Sequence, residues 1–179
     1  MSLLTLRNAL LLLVCLVAAA VEAAVPMMLP HAIRGLRADL LLVVVLYLAM
    51  HDEWIQGTAL SFVAGYLSDL AAATPAGLYT FLAVITFVVV RTTGSAFKAD
   101  GGLQAALLAF VASLVHSVLA AALFLLLLPG STFGLQFSLL WSAVATGLGA
   151  IPTFAVLRSL DDSLLPVGDS LGAPRKRPR

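Results

Sequence analysis

The sequence predicts an all-α integral membrane protein, with about six transmembrane helices gathered in one compact bundle. Three observations predict it. Of 179 residues, 61% are hydrophobic and only 11% charged, with a mean hydropathy of +1.07. The apolar residues fall into separate blocks whose lengths approach the roughly 20 residues that cross a hydrocarbon core. The charged residues lie mostly in the breaks between blocks and at the C-terminal end. Soluble domains are about half apolar and a quarter charged. A chain this short also leaves much of its surface facing the solvent, so that solvent has to be lipid.

Taken in order, the spans are expected over 8–29, 36–50, 54–73, 78–90, 103–128 and 137–157, making 1–158 one membrane domain. Pro26 and Pro30 end the first span. Val21-Glu22-Ala23 has residues small enough for signal-peptide cleavage. The apolar stretch is long and only Arg7 precedes it, so a retained helix is the simpler reading. The second and fourth spans are short. At about 1.5 Å per residue they reach only some 20 Å, which calls for shelter by neighbours or for snorkelling of Arg34, Arg37 and Arg91. Trp54 opens the third span and Trp141 lies near the start of the sixth, where indoles favour the interface. Thr74-Pro75-Ala76-Gly77 and Leu128-Pro129-Gly130 are turn signals. Beyond Arg158, residues 159–179 read as a disordered basic cytoplasmic tail ending in Arg175-Lys176-Arg177-Pro178-Arg179. That run is expected to meet anionic lipid, at about 1 kcal/mol per basic residue near the surface.

With six spans the two termini share a side. Arg7, Arg91, Lys98, Arg158 and the four basic residues of the tail fall on that side, and only Arg34 and Arg37 on the other. The positive-inside rule then makes both termini cytoplasmic.

Apart from Arg37 and Asp39 at the start of the second span, three ionisable residues fall within the spans: Glu22, Asp69 and His116. Such groups cost about 2.5–3.5 kcal/mol to insert, so each requires a reason. One reason is a polar cluster that binds a solute, conducts protons or receives a partner's basic group; the other is hydrogen bonding that ties helices together. Small residues recur every fourth position: Cys15, Ala19 and Ala23; Gly57, Ser61 and Gly65, leading to Asp69; Ala109, Ser113, Ser117 and Ala121; Ala145 and Gly149. Each row lets a second backbone come close. The groove along Gly57, Ser61 and Gly65 is expected to pack against another helix, with Asp69 and the turn carrying Pro75 and Gly77 presented to a partner.

Catalytic chemistry is not evident. Ser113, His116 and Ser117 do not read as a nucleophile and base, since a useful pair must be within hydrogen-bond reach and the i+1 neighbours His116 and Ser117 point apart. There is no His-Glu-x-x-His, no phosphate-cradling glycine loop and no cysteine cluster, Cys15 being the lone cysteine. No cofactor, metal or nucleic-acid partner is expected.

Arg37-Ala38-Asp39, the run Leu40 to Leu46 and Tyr47-Leu48-Ala49-Met50-His51 resemble the start of the second helix of the rod shape-determining membrane protein MreD family. Gly57, Gly65, Asp69, Pro75 and Gly77, in the arrangement Gly-x3-Asp-x5-Pro-x-Gly-Leu, resemble that family's most recognisable stretch, and His116 in an apolar fifth helix also fits. Ala38 departs from the proline usual before the aspartate. The resemblance implies a non-enzymatic scaffold subunit of the cell-elongation machinery in the bacterial inner membrane. Its partners would be an MreC-type protein and, indirectly, MreB, RodA and a penicillin-binding transpeptidase engaged in peptidoglycan synthesis. The alternative is a vitamin-binding membrane subunit of an energy-coupling-factor transporter, a class of similar size and helix number whose fold this chain would share.

Overall fold

The structure, a computed structural model, describes residues 3–28, 38–72, 77–93, 102–127 and 138–164. The regular structure among them is helical: α1 (Leu3–Met28), α2 (Leu40–His51), α3 (Trp54–Ala72), α4 (Leu78–Thr93), α5 (Gly102–Leu127) and α6 (Ser138–Leu164). Three stretches are long and apolar enough to cross a membrane: Leu6–Ala24, Gly102–Leu123 and Leu140–Ser163. α2 and α4 are shorter apolar helices. The helices alternate in direction. The bundle therefore has a near end, where α1 begins and α2, α4 and α6 finish, and a far end, where α2, α4 and α6 begin.

The organising element is α2. Its sequence, Leu-Leu-Leu-Val-Val-Val-Leu-Tyr-Leu-Ala-Met-His, has no polar stripe, and a helix apolar all round belongs in an interior. Every residue from Leu41 to Ala49 is buried, and α2 touches all five other helices. The expected shelter of this short span is thus supplied by the whole bundle. With 12 residues it is about 18 Å long.

The surrounding helices turn a narrow stripe inward and expose large apolar side chains outward, including Leu13, Leu16, Phe62, Tyr66, Leu70, Val111, Val115, Leu148 and Ile151. Water-soluble proteins rarely expose so much contiguous apolar surface. On α1 the buried stripe is Leu11, Cys15 and Ala18, whereas Ala19 is half-buried and Ala23 exposed. The row Cys15, Ala19, Ala23 therefore drifts out of the interface, because four-residue steps outrun a 3.6-residue turn. On α6 the same drift puts Ala143, Thr146, Gly147 and Ala150 inside, with Ala145 and Gly149 at the edge. On α5, Ala109, Ser113 and Ala121 are buried and Ser117 half-buried, as the row there requires.

One boundary needs correction. α6 does not end at 157 but runs to Leu164, so residues 159–164 of the expected tail are helical. The cause is Asp161, whose carboxylate is bound by side chains of α1 and α2. Residues 165–179, including the basic run, lie outside the described residues.

Candidate functional site

A buried helix of 12 residues leaves polar groups at both ends inside the protein. The first four N–H groups and last four carbonyls of any helix have no partner within it. Among the described residues, the buried ionisable side chains gather around those two ends.

At the far end, Asp39 caps α2, its Oδ1 accepting from the backbone N–H of Leu42 at 2.9 Å and its carbonyl from that of Val43 at 3.3 Å. Glu22 reaches across from α1, and its Oε1 accepts from the N–H of Leu41 at 2.7 Å. The N–H of Asp39 itself donates to Thr146 Oγ1 of α6 at 3.0 Å. Two carboxylates thus stand at the positive end of the α2 dipole, where negative charge is favoured. Glu22 pairs with α2 rather than with Asp69.

Asp69 does the same for the next helix. It is 6% exposed, and its carboxylate accepts from the N–H groups of Gly77 (3.0 Å), Tyr79 (2.8 Å) and Thr80 (3.1 Å) and from Thr80 Oγ1 (2.6 Å). It closes the start of α4 from the end of α3, so both oxygens are engaged within the chain. Gly77 adopts φ +96°, a backbone state that glycine reaches without strain, and it remains exposed.

The groove of Gly57, Ser61 and Gly65 is likewise filled from within, and the helix it receives is α4. A Cβ on Gly65 would lie 2.5 Å from Thr80 Cα and 2.8 Å from both Ala83 Cβ and Tyr79 O; one on Gly57 would strike the Phe87 ring. Ser61 is fully buried between them. The row expected to pack against another helix does so against α4 of the same chain, and Asp69 caps that helix; among the residues proposed for docking, Gly77 alone is described and exposed. Pro75 lies outside the described residues.

His116 of α5 lies beside these caps. It is 7% exposed, stacks on Tyr79 with ring centroids 5.8 Å apart, and neither ring nitrogen has a hydrogen-bond partner. It lines a cavity of about 190 Å³ together with Glu22, Asp39, Ser68, Ser113 and Ser142. A polar space of this size holds several water molecules. Ser113 and Ser117 both line it, but neither is hydrogen-bonded to a His116 ring nitrogen as a nucleophile and base would be.

The near end holds a second cluster that nothing in the sequence pattern marks. Arg7 of α1, 8% exposed, donates from Nη2 to Asp52 Oδ1 and from Nε to Asp161 Oδ1 at 2.8 Å. Tyr47 OH donates to Asp161 Oδ2 at 2.6 Å, and Tyr47 stacks on His51 with centroids 4.2 Å apart. Arg91 does not snorkel away; it donates to the carbonyl of Ala49 at 3.2 Å and so closes the C-terminal end of α2. Asp52 follows His51 as the C-cap residue, its N–H donating to the carbonyl of Leu48 at 2.9 Å. The one available hint was that Asp52 falls at the break between two apolar runs, where a cap is needed.

Among the described residues no group of three or more His, Cys, Asp or Glu side chains is placed to hold a metal ion. The arrangement is one of helix caps and an ion-paired triad, which fixes the mutual position of α1, α2, α4 and α6.

No curated protein and no solved structure matches the chain. A family model does: rod shape-determining protein MreD matches residues 5–160, from the start of α1 almost to the end of α6. The match takes in every cap and ion pair described above except Asp161, and on it the chain belongs to the MreD family of rod shape-determining proteins.

Proposed function

We propose that this chain is a non-enzymatic scaffold subunit of the bacterial cell-elongation complex, coupling an MreC-type protein, and through it MreB, to the RodA and penicillin-binding transpeptidase pair. The observation that carries this reading is the family match across residues 5–160. The geometry is consistent with it: the carboxylates of Glu22, Asp39 and Asp69 are engaged as helix caps, and Arg7, Asp52 and Asp161 as an ion-paired triad, which is how a rigid frame uses polar groups. All six helices cross the inner membrane in this proposal, with α2 and α4 accommodated by burial among longer neighbours. The surplus of Lys and Arg at the near end makes that end cytoplasmic.

Partner contact then falls to what remains at the surface. Gly77 before α4 and, on α3, the exposed residues Trp54, Ile55, Phe62, Tyr66 and Leu70 are within a partner's reach. A vitamin-binding role at the far end is disfavoured by size, because the cavity there, about 190 Å³, falls short of the roughly 300–1,000 Å³ of small-molecule sites.

The test is affinity purification of the chain from its native membrane, with identification of co-purifying proteins. Recovery of MreC-type and peptidoglycan-synthesising proteins supports the scaffold. Recovery of an ATPase module without them overturns it in favour of a transporter.

A further inference from the structure

The near end of the bundle holds more than the triad. A cavity of about 510 Å³ opens there, lined by Arg7, Tyr47, His51, Asp52, Glu53, Gln56, Arg158, Asp161 and Asp162. Four carboxylates line it against two guanidinium groups. The inner part is the imbalance that matters most, since the single Arg7 lies between Asp52 and Asp161 and leaves that buried triad one negative charge in excess. Asp52 is 2% exposed, and its Oδ2 has no hydrogen-bond partner. A buried carboxylate oxygen left unpaired is costly, and a cation brought to it recovers that cost. The C-terminal ends of α2 and α6 also lie here, and their dipoles favour positive charge.

From these observations we infer that the near-end cavity is a binding site for Lys and Arg side chains, and that its occupant is this chain's own segment Arg175–Arg179. The carboxylates do not converge in a metal-binding group, which suits several cationic side chains better than one ion. The segment is at hand: α6 ends at Leu164, two residues beyond Asp162 in the cavity wall, and the sequence continues into Arg175, Lys176, Arg177 and Arg179. Residues 165–174 span at most about 35 Å when extended, ample to return to that wall. Tethering at this length gives an effective concentration of about millimolar, so weak individual ion pairs suffice. The inference holds whichever complex the chain joins, since it depends only on the near-end cavity and the segment that follows α6. It gives the basic run a destination other than anionic lipid, and a cytoplasmic partner with basic residues would have to displace it.

The test uses limited trypsin digestion of the full chain in phosphatidylcholine nanodiscs at low salt, following cleavage after Arg175 and Lys176 by mass spectrometry. Glu53→Gln with Asp162→Asn removes two exposed carboxylates of the cavity and leaves the Arg7 triad intact. The tail should be protected in the native chain, and the double variant should be cut about fivefold faster, as the loss of two partly exposed ion pairs implies. Carbodiimide treatment of the native chain should join Lys176 to a carboxylate of the cavity wall. Equal cleavage of native and variant chains, with no such cross-link, overturns the proposal. Protection that appears only when anionic lipid is added assigns the segment to the lipid surface and overturns it as well.

Discussion

Replacing Asp69 by alanine separates a structural carboxylate from a docking one. Its carboxylate accepts four hydrogen bonds, three from backbone N–H groups at the start of α4 and one from the Thr80 hydroxyl. Loss of an N-cap costs about 0.5–2 kcal/mol. Each buried donor left without a partner adds about 1–3 kcal/mol. Thr80 is buried and contributes two of the four donors, while Gly77 is exposed and can turn to water. A net loss of about 3 kcal/mol is therefore expected for Asp69→Ala, and less for Asp69→Asn, which keeps one acceptor oxygen. For a chain of this size about 2–4 °C accompanies each kcal/mol, so the melting temperature in detergent should fall by about 6–12 °C. The assay is fluorescence-detected gel filtration after heating, run on the isolated chain without partners. A melting temperature within about 2 °C of the native value, together with loss of partner co-purification, would refute the cap and restore Asp69 as a contact residue.

The remaining predictions concern neighbouring parts of the frame. Gly65→Ala should destabilise by about 1–3 kcal/mol, because the new methyl meets the α4 backbone; Gly57→Ala should cost less, since the Phe87 ring can rotate aside, and the reverse order in thermal melts would contradict the packing described. Arg7→Met strands Asp52 and Asp161 and should cost about 3–5 kcal/mol, visible as loss of monodisperse protein on gel filtration. His116→Leu removes a buried imidazole that lacks hydrogen-bond partners, so the melting temperature should hold or rise. If that variant stays folded but fails to support rod shape in cells, His116 acts in function rather than in packing.

The helices were largely legible from apolar blocks and punctuation. Trp54 and Leu78 begin α3 and α4 as expected, since a break with a cap or a turn precedes each. The end of α6 was not legible, because Arg158, Asp161 and Asp162 look like the start of a solvated tail, and only the distant Arg7 and Tyr47 make Asp161 part of the bundle. Asp69 and Glu22 stood out by their cost within apolar runs, yet what they bind did not. Asp69 serves a helix that starts nine residues later, and Glu22 serves one eighteen residues on, and such pairings depend on how helices lie side by side. The small-residue row on α3 showed that a close approach occurs there; that the approaching helix is the next one in the same chain is a matter of topology.

The short central helix has an electrical consequence. Polar clusters cap α2 from both sides, and the stretch between them, Leu41 to Ala49, is apolar save for the Tyr47 hydroxyl that reaches Asp161; it is about 14 Å long, against a hydrocarbon core of about 30 Å. In the proposed placement, with α2 across the membrane, the apolar layer along this helix is about half as deep as the lipid beside it, and a membrane potential would fall over that shorter distance. Three consecutive valines, Val43, Val44 and Val45, are buried at its middle, and close packing of that kind leaves little room for ions or water.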